Sequence, residues 1–591
     1  MSRYRHLSIA LACCVVSASL VYCQSAAAAF VQPTRSKRGM VTSANPNASF
    51  AGLSMLRKGG NAVDAAVATT FAISVVEPFS AGIGGGGFLL LKWGSETKAL
   101  DFRERAPQKA DRNMYLDNTG KVLPNASING HLAVAVPGTV AGLYEVHRRY
   151  GKLSWQEVVA PAIKLARDGF VVSDRFVEMS TAWRAALLSN QEAQSIFLKN
   201  GIPYAAGERL VQRDLAGSLE AIAQNPQNFY TGSIARALAR DMAKNRGLIT
   251  LKDLQSYKPT WREPVCGTFR QYRICSMPPP SSGGVHLLQI LNIISGTNLK
   301  SLGWHHPDAL HLMVEAMRIA YADRSEYLGD PARVKVPVQA LISRGYAAKR
   351  RQEIPLFWAR PSSQVKPVER ETLLRFADSQ GTQTTPSPVK SAPSRGKESN
   401  DTSHLTVVDA DRNAASLTFT INLGFGSGVV VPGTGILLNN EMDDFAAAPN
   451  VPNAFGLVGG DANAIAPNKI PLSSMTPTIV TQNNRLRLAT GSPGGSTIIT
   501  TVLQIILNVL EYDMDAGAAV SAGRLHHQWL PDEVRVERSS FDAATLEQLR
   551  LRGHKIEVKP GWGNANIVVQ NKDGWLEGAA DPRGDGAALG Y

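Results

Sequence analysis

A stretch rich in proline and polar residues divides the chain into two parts with different hydrophobic patterns. Residues 359–401 contain five prolines among Ser, Thr, Gln, Lys and Arg, a composition typical of a flexible, solvated linker. Residues 40–350 alternate helical patterns with short strands, whereas dense strands and an apolar helix from about Ser496 to Tyr512 follow the linker. The 591 residues exceed the roughly 250–300 at which one core stops growing, so we expect several units or one large layered domain of mixed α/β class.

The first 29 residues are typical of an export signal. Arg3 and Arg5 give a positive start, residues 7–21 form an apolar run, and residues 25–29 supply a small-residue cleavage site. The apolar run is shorter than the ~20 residues that a spanning helix needs, so we expect no membrane span. The sequence predicts cleavage near Ala29 and a periplasmic or secreted protein.

The charge of the chain is positive but unevenly distributed. In total, 62 Lys and Arg oppose 49 Asp and Glu, which gives +13 at pH 7. No Lys/Arg block, zinc-ligand pattern or RNA-binding motif accompanies this charge, so no nucleic-acid partner is predicted. From Thr402 onward 13 basic and 19 acidic residues give −6, which leaves +19 on residues 1–401. A cut at that point would produce a basic fragment and an acidic one.

Two of the five cysteines remain if the export signal is removed. Cys266 and Cys275 lie in a pattern that predicts a hairpin turning at Arg270-Gln271, with the two cysteines directly opposite each other. In an oxidising compartment they would form a disulfide, and two free thiols facing each other are the alternative. No His or second cysteine pair lies at ligand spacing, so no metal site is predicted.

Residues 82–87 satisfy the pattern G-x-G-x-x-G of dinucleotide-binding proteins. That fingerprint requires a strand before it and a helix after it, whereas residues 77–80 read EPFS and the strand-like residues 88–91 follow. We therefore expect no cofactor, and a close backbone approach beside a site instead. The adjacent His526 and His527 would face opposite ways on a strand, so we interpret them as structural.

The end of the linker carries the most reactive pattern in the sequence. Thr402 and Ser403 open a predicted strand directly after Asp401. If the Asp401–Thr402 bond were cut, the new α-amine, with a pKa near ~8, would lie beside the Thr402 hydroxyl as a nucleophile–base pair. The alternative interpretation is an ordinary junction between linker and strand.

A second element suits the same chemistry. Residues 490–496 form a glycine-rich turn directly before the apolar helix, so their backbone N–H groups lie at its N-terminus. Such N–H groups can hold a developing oxyanion. A plain turn with Ser496 as the helix N-cap is the alternative.

Together these motifs resemble the bacterial γ-glutamyltranspeptidases, the glutathione hydrolases of the N-terminal-nucleophile superfamily. The resemblance covers roughly residues 38–591. It is carried, in order, by GGNAVDAA at 59–66, DFRE at 101–104, MPPPSSGG at 277–284, TSH at 402–404, LNNEMDDF at 438–445, PLSSM at 471–475 and GSPGG at 491–495. So many collinear motifs make it highly specific.

The resemblance implies a role for each residue that matches a family motif. Thr402 would first cut the chain after Asp401 and then attack the substrate amide, and Thr420 would hydrogen-bond this nucleophile. The N–H groups of Gly494 and Gly495 would form the oxyanion hole. The substrate-binding residues would be Arg103 for the α-carboxylate, Asn422, Glu441 and Asp444 for the α-ammonium, and Ser473 and Ser474 for further hydrogen bonds.

Some positions have ordinary alternatives or depart from the family pattern. Arg103 could form an ion pair with Asp101 or Glu104, and the Asp443-Asp444 pair could be a solvated acidic turn. The segment 449–456 resembles a lid over the pocket, but Phe455 stands where a tyrosine is familiar. We therefore expect an aromatic gate without a hydroxyl.

The resemblance also implies the fold, the subunits and the partners. The fold would be a four-layer αββα sandwich formed jointly by a large subunit, residues 30–401, and a small catalytic subunit, residues 402–591. Substrates would be γ-glutamyl compounds such as glutathione, with water, amino acids or dipeptides as acceptors and no cofactor. The competing hypotheses are a cephalosporin or glutaryl acylase of the same superfamily and a catalytically silent γ-glutamyl-peptide binding protein.

Overall fold

Two seven-stranded antiparallel sheets stack against each other in the computed structural model, which describes residues 31–377, 401–449 and 451–591. In spatial order, sheet I comprises Thr34–Ser36, Leu576–Ala580, Asn566–Gln570, Arg485–Gly491, Thr478–Gln482, Tyr272–Ser276 and Val265–Phe269. Sheet II comprises Ala587–Gly590, Met40–Ser43, Ser403–Val408, Ala414–Thr420, Gly86–Trp93, Glu96–Phe102 and Thr260–Arg262.

Helices cover the outer face of each sheet. Gly283–Ile294 and Ile498–Leu510 pack on sheet I, and Pro307–Tyr327 packs on Gly283–Ile294. Pro46–Arg57, Ala62–Val76 and Thr139–Tyr150 pack on sheet II, and Trp155–Asp168 packs on Ala62–Val76. The remaining α-helices are Asp174–Ala182, Arg184–Leu188, Gln191–Phe197, Arg213–Gln224, Ser233–Lys244, Leu251–Ser256, Leu299–Leu302, Val338–Leu341, Arg344–Gln352, Arg370–Leu374, Ala516–Ser521 and Ala543–Leu551. The predicted four-layer αββα sandwich is confirmed.

Short elements complete the fold. Small sheets pair Val430–Val431 with Ile436–Leu437, Phe170–Val171 with Arg209–Leu210, Leu198–Lys199 with Ile202–Pro203, and Leu525–His526 with Val534–Glu537 and Ile556–Lys559. The 3-10 turns are His131–Ala133, Pro226–Phe229, Ser362–Gln364, Glu441–Asp444, Asp461–Asn463 and Gly495–Thr497. Two of these turns, Glu441–Asp444 and Gly495–Thr497, carry candidate site residues.

The strand Gly86–Trp93 shows why the sheets have continuous apolar runs. Phe88 and Leu90 face the core that includes the space between the sheets, whereas Leu89 and Leu91 face the helices beside sheet II. Both faces of the strand are therefore buried, and strict alternation of polar and apolar residues is not required. Full burial of each such side chain contributes roughly 1.5–3 kcal/mol.

The glycine run before this strand approaches other backbone closely, as predicted. A Cβ on Gly85 would lie 1.9 Å from the Thr420 carbonyl oxygen. A strand rather than a helix follows the run, so the geometry does not match a dinucleotide fingerprint.

Residues before and after the predicted cut share one sheet. The strand Ser403–Val408 pairs with Met40–Ser43 on one side and with Ala414–Thr420 on the other, and Ala414–Thr420 pairs with Gly86–Trp93. Breaking the chain at residue 401 would leave these pairings in place. Two fragments produced there would therefore stay associated.

The prediction of a flexible linker is wrong for its first part, residues 359–377. Within residues 359–377, Ser362, Val365 and Leu373 are buried. The indole Nε1 of Trp529 donates to the carbonyls of Ser362 and Val365 at 2.9 and 3.0 Å. Widely spaced apolar residues dock this stretch in spite of its polar, proline-containing composition. Residues 378–400 and the predicted signal, 1–29, lie outside the described residues.

The predicted hairpin has the expected register. Cys266 lies opposite Cys275, Phe269 pairs with Tyr272, and the two sulfur atoms form a disulfide. Arg270 occupies the turn with φ +54°.

Of the helices in the described ranges, none combines the length and apolarity that a membrane crossing requires.

Candidate active site

Thr402 lies at the start of a central strand of sheet II, with only 6% of its surface exposed. Its Oγ1 is 3.1 Å from Oγ1 of Thr420, the last residue of the neighbouring strand, and it also contacts the carbonyl oxygen of Asp401. The Asn422 N–H donates to Thr420 Oγ1 at 2.8 Å, which fixes the position of that hydroxyl. The Thr402 hydroxyl therefore lies against the peptide bond that precedes it.

Asp401 is buried with Thr402. Burial raises the pKa of its carboxyl from 3.8 to about 7. The protonated form is therefore accessible at neutral pH, which reduces the cost of enclosing this side chain beside the nucleophile.

A small pocket opens beside Thr402. Its lining contains most of the site residues predicted from the sequence: Arg103, Thr402, Thr420, Asn422, Glu441, Asp444, Phe455, Ser473, Ser474 and Gly495. Three apolar lining residues were not predicted: Leu457, Met475 and Ile498. The cavity thus combines a nucleophile, a cation and several acids with an apolar wall.

Arg103 is the electrostatic centre of this cavity. Its guanidinium forms ion pairs with Glu441 and Asp444 and lies 3.6 Å from the carboxylate of Glu104. Burial alone would lower the pKa of Arg103, but the neighbouring carboxylates outweigh this effect and raise it. Sequence analysis did not assign Glu104 to the site, although it directly follows Arg103.

The acids beside Arg103 outnumber it. Burial raises the pKa of Glu441 and Asp444, and that of Glu104 to about 7. The charge of Arg324 also acts to lower the pKa of Asp444, so two guanidinium groups face three carboxylates, and a bound proton or a ligand ammonium would balance the remaining charge. A ligand carrying both an ammonium and a carboxylate could insert here, with its ammonium on the acids and its carboxylate on Arg103.

The two adjacent aspartates do not form a solvated turn. Asp444 accepts from Asn453 Nδ2 at 3.2 Å, besides its ion pair with Arg103. Asp443 accepts from Ser127 Oγ at 2.7 Å and from the Ala454 N–H at 3.0 Å. Asp444 therefore faces the cavity, whereas Asp443 anchors the start of residues 453–457, which we call the Phe455 segment.

The remaining predicted binding residues are positioned by both parts of the chain. The Ser473 N–H donates to the Pro280 carbonyl at 2.9 Å, and Ser282 Oγ donates to the Ser473 carbonyl at 2.8 Å. Among the described residues no partner accompanies the buried Ser474 Oγ, which suits a ligand contact. Asn422 Nδ2 donates to the Asn440 carbonyl at 3.0 Å, so its amide oxygen is the group suited to an ammonium.

The glycine turn meets the helix N-terminus next to the cavity. Gly494 and Gly495 have φ values of +130° and +54°, and the 3-10 turn Gly495–Thr497 leads into the helix Ile498–Leu510. Their N–H groups lie at the positive end of this helix, although Gly494 itself does not line the cavity. The alternative prediction that Ser496 is the N-cap of this helix is wrong, because Thr497 takes that position.

Phe455 closes the cavity from the side of this turn. A Cβ on Gly495 would lie 2.3 Å from Phe455 Cδ1, so the ring packs where no side chain fits. The amide oxygen of Asn453 accepts from the N–H groups of Phe455 and Leu457, each at 3.1 Å, and shapes the loop. Phe455 is 6% exposed. Its function as a gate stays a prediction.

The two adjacent histidines lie outside the cavity lining, and no group of three or more His, Cys, Asp or Glu within the described ranges is arranged to hold a metal ion.

Comparison with known proteins places these features in a family. The family model described as Gamma-glutamyltranspeptidase matches residues 48–591. A glutathione hydrolase proenzyme from Escherichia coli (strain K12) is 48% identical over 563 residues, which cover 95% of this chain and 93% of that protein.

Solved structures resemble the chain as well. A cephalosporin acylase from Bacillus halodurans superposes with a TM-score of 0.81 at 29% identity, covering 96% of this chain and 98% of that one. A γ-glutamyltranspeptidase from Helicobacter pylori gives a TM-score of 0.54 at 46% identity, covering 55% of this chain and 93% of that one.

Proposed function

The chain belongs to the γ-glutamyltranspeptidase family, and we propose that it is an exported precursor that cuts itself and then transfers γ-glutamyl groups. The observation that carries this proposal is the position of Thr402, whose hydroxyl lies against the Asp401 carbonyl and lines the cavity that holds Arg103 and its acids.

The first step is the cut between Asp401 and Thr402. Thr402 Oγ1 attacks the Asp401 carbonyl carbon, the C–O bond forms, and the C–N bond breaks as the nitrogen gains a proton. Water then hydrolyses the ester, which leaves a carboxylate on Asp401 and a free amine and hydroxyl on Thr402. The products are a large subunit, residues 30–401, and a small subunit, residues 402–591, which stay associated through sheet II.

The second step uses the new amine as a base. It accepts the proton of the Thr402 hydroxyl while Oγ1 attacks the γ-carbonyl carbon of the substrate. The oxyanion would be held by the N–H groups of Gly494 and Gly495, and the Thr420 hydroxyl would orient Oγ1. The leaving amine takes the proton, and the γ-glutamyl ester is then transferred to water or to the amine of an amino acid or dipeptide.

Charge complementarity supports γ-glutamyl substrates. The α-carboxylate would bind Arg103, with Ser473 and Ser474 donating further hydrogen bonds. The α-ammonium would bind Asp444, Glu441 and the Asn422 amide oxygen, which line the same cavity as Arg103. The name of the Escherichia coli relative makes glutathione the first substrate to test.

The likeness to a cephalosporin acylase keeps an acylase as the second candidate. An acyl group without an ammonium would gain nothing from the buried Asp444 and Glu441 and would have to desolvate them. The acid-rich cavity therefore favours γ-glutamyl substrates.

A matched pair of substrates separates the two candidates. Glutaryl-p-nitroanilide differs from γ-glutamyl-p-nitroanilide only in lacking the α-ammonium. We expect kcat/KM to be at least 100-fold higher for the γ-glutamyl compound. Equal or faster turnover of the glutaryl compound would favour the acylase, and a single uncut chain without turnover would favour a binding protein.

Export is supported by the N-terminal pattern and by the Cys266–Cys275 disulfide, which suits an oxidising compartment. We propose a periplasmic or secreted location. Mass spectrometry of the exported protein would show whether it begins near residue 30.

A further inference from the structure

A buried glutamine outside the cavity bonds both the Phe455 segment and the glycine turn. Gln528 is 4% exposed. Its Oε1 accepts from Ser496 Oγ at 2.7 Å, and its Nε2 donates to the Phe455 carbonyl at 3.2 Å. Ser496 directly follows Gly495, the residue on which the Phe455 ring packs. One side chain thus connects the cover of the cavity to the proposed oxyanion hole.

The remaining bonds of Gln528 fix the orientation of its amide. Oε1 also accepts from His526 Nε2 at 2.9 Å, and Nε2 also donates to the Leu530 carbonyl at 3.3 Å. Because carbonyl oxygens only accept, the NH₂ group must face Phe455 and Leu530. A reversed amide would place the single Gln528 oxygen against the two carbonyl oxygens of Phe455 and Leu530.

His526 holds this arrangement from behind. Since Gln528 Oε1 can only accept, His526 Nε2 carries the proton, and His526 Nδ1 lies 2.8 Å from Thr500 Oγ1. Burial lowers the pKa of His526 to about 4, which keeps the ring neutral. The histidine therefore defines which end of the amide faces Phe455.

We infer that Gln528 is a positioning residue that holds the Phe455 ring over the substrate in register with the N–H groups of the glycine turn. This inference rests on the proposed function. Without the bond to Gln528, the Phe455 segment would lose its hydrogen-bonded link to the turn and would keep only the packing of the ring on Gly495. The substrate would then be covered less well, while the nucleophile and the acids around Arg103 stay in place.

Gln528→Glu tests this by replacing the amide NH₂ group, with its two donors, by a carboxyl oxygen. The variant keeps an oxygen for Ser496 and His526 but turns a second oxygen toward the Phe455 and Leu530 carbonyls. We expect self-cleavage to be complete, KM for γ-glutamyl-p-nitroanilide to rise about tenfold, and kcat to change less than threefold.

Gln504→Glu is the matched control. Gln504 is 6% exposed, and its Nε2 donates to two carbonyls, those of Thr500 and Leu525, each at 2.8 Å, while Oε1 accepts from the Leu525 N–H. None of these contacts involves the Phe455 segment or the glycine turn. We expect a similar loss of thermal stability with KM unchanged.

A double variant shows whether the effect passes through the ring. In a Phe455→Ala background, Gln528→Glu should change KM less than twofold, because no ring remains to be held. An equal effect on KM in both backgrounds, or an equal rise of KM in Gln504→Glu, would overturn the inference.

A smaller change covers the case in which Gln528→Glu does not fold. Ser496→Ala removes the same connection from the other side, and we expect KM to rise at least threefold. An unchanged KM would overturn the inference. Absence of γ-glutamyl turnover in the wild-type protein would instead contradict the proposed function.

Discussion

The hydroxyl oxygens of Thr402 and Thr420 lie 3.1 Å apart, at the ends of two paired strands. The pairing of Ser403 with Phe419 sets this distance, since it places the two threonines next to each other at the same end of sheet II. The proposed nucleophile, Thr402, is therefore positioned by backbone hydrogen bonds, and one neighbouring hydroxyl contacts its Oγ1.

Thr420→Val should slow the reaction without unfolding the protein. Valine keeps the buried shape but cannot hydrogen-bond Thr402, so we expect kcat for γ-glutamyl-p-nitroanilide to fall on the order of 100-fold, and self-cleavage to slow. Thr418→Val is the control, because the Thr418 hydroxyl bonds His404 instead of the nucleophile. Wild-type kcat in Thr420→Val would contradict the orienting role.

Asp444→Asn should abolish the preference of the protein for the γ-glutamyl anilide, which carries an α-ammonium, over the glutaryl anilide. Removing the charge leaves Arg103 with fewer acids and the substrate ammonium with a weaker partner, so kcat/KM should fall at least 100-fold while self-cleavage stays complete. Asp443→Asn is the matched control, since Asp443 bonds Ser127 and Ala454. Kinetics on the γ-glutamyl and glutaryl anilides would detect the change, and an unaltered preference would count against the assignment.

Buried Glu77 makes stability depend on pH. Burial raises its pKa from 4.5 to about 7, although the hydroxyls of Ser403 and Ser80 donate to it. The folded state therefore holds a proton that the unfolded state releases above about pH 4.5. Stability should fall as the pH rises from 4.5 to 7, by on the order of 2 kcal/mol from this group.

Urea unfolding of the uncut Thr402→Ala chain at pH 5 and pH 7 would measure this dependence. In the added Glu77→Gln variant, the difference between the two midpoints should shrink, because glutamine stays neutral at both values. A midpoint difference that is unchanged by Glu77→Gln would rule out Glu77 as its source.

The Cys266–Cys275 disulfide should be present in the exported protein. Under non-reducing conditions, the mass of the large subunit should be lower by two hydrogens than after reduction. Labelling of both thiols by iodoacetamide without prior reduction would exclude the bond.

The sequence was most informative where motifs carry chemistry. The junction at Thr402 and the glycine turn stood out as candidates from residue order, with an ordinary junction and a plain turn as alternatives, because a hydroxyl at a strand start and N–H groups at a helix start are local features. The fold followed from the family resemblance, since periodicity alone indicates only a mixed α/β class.

Long-range packing was not visible in the sequence. The ion pair of Arg103 with Asp444 joins residues 341 positions apart, so no local pattern indicates that these two side chains meet. Composition alone also mislabelled residues 359–377, because the docking of Ser362 and Val365 on Trp529 depends on a distant indole. Gln528 escaped notice because a glutamine after two histidines resembles any buried polar residue.

N-terminal sequencing tests the central claim most directly. The protein and its Thr402→Ala variant would be purified and separated on a denaturing gel, and the smaller fragment sequenced. The proposal predicts that this fragment begins Thr-Ser-His-Leu-Thr and that the variant remains one chain. A fragment beginning at another residue, or the same two fragments from Thr402→Ala, would contradict self-cleavage by Thr402.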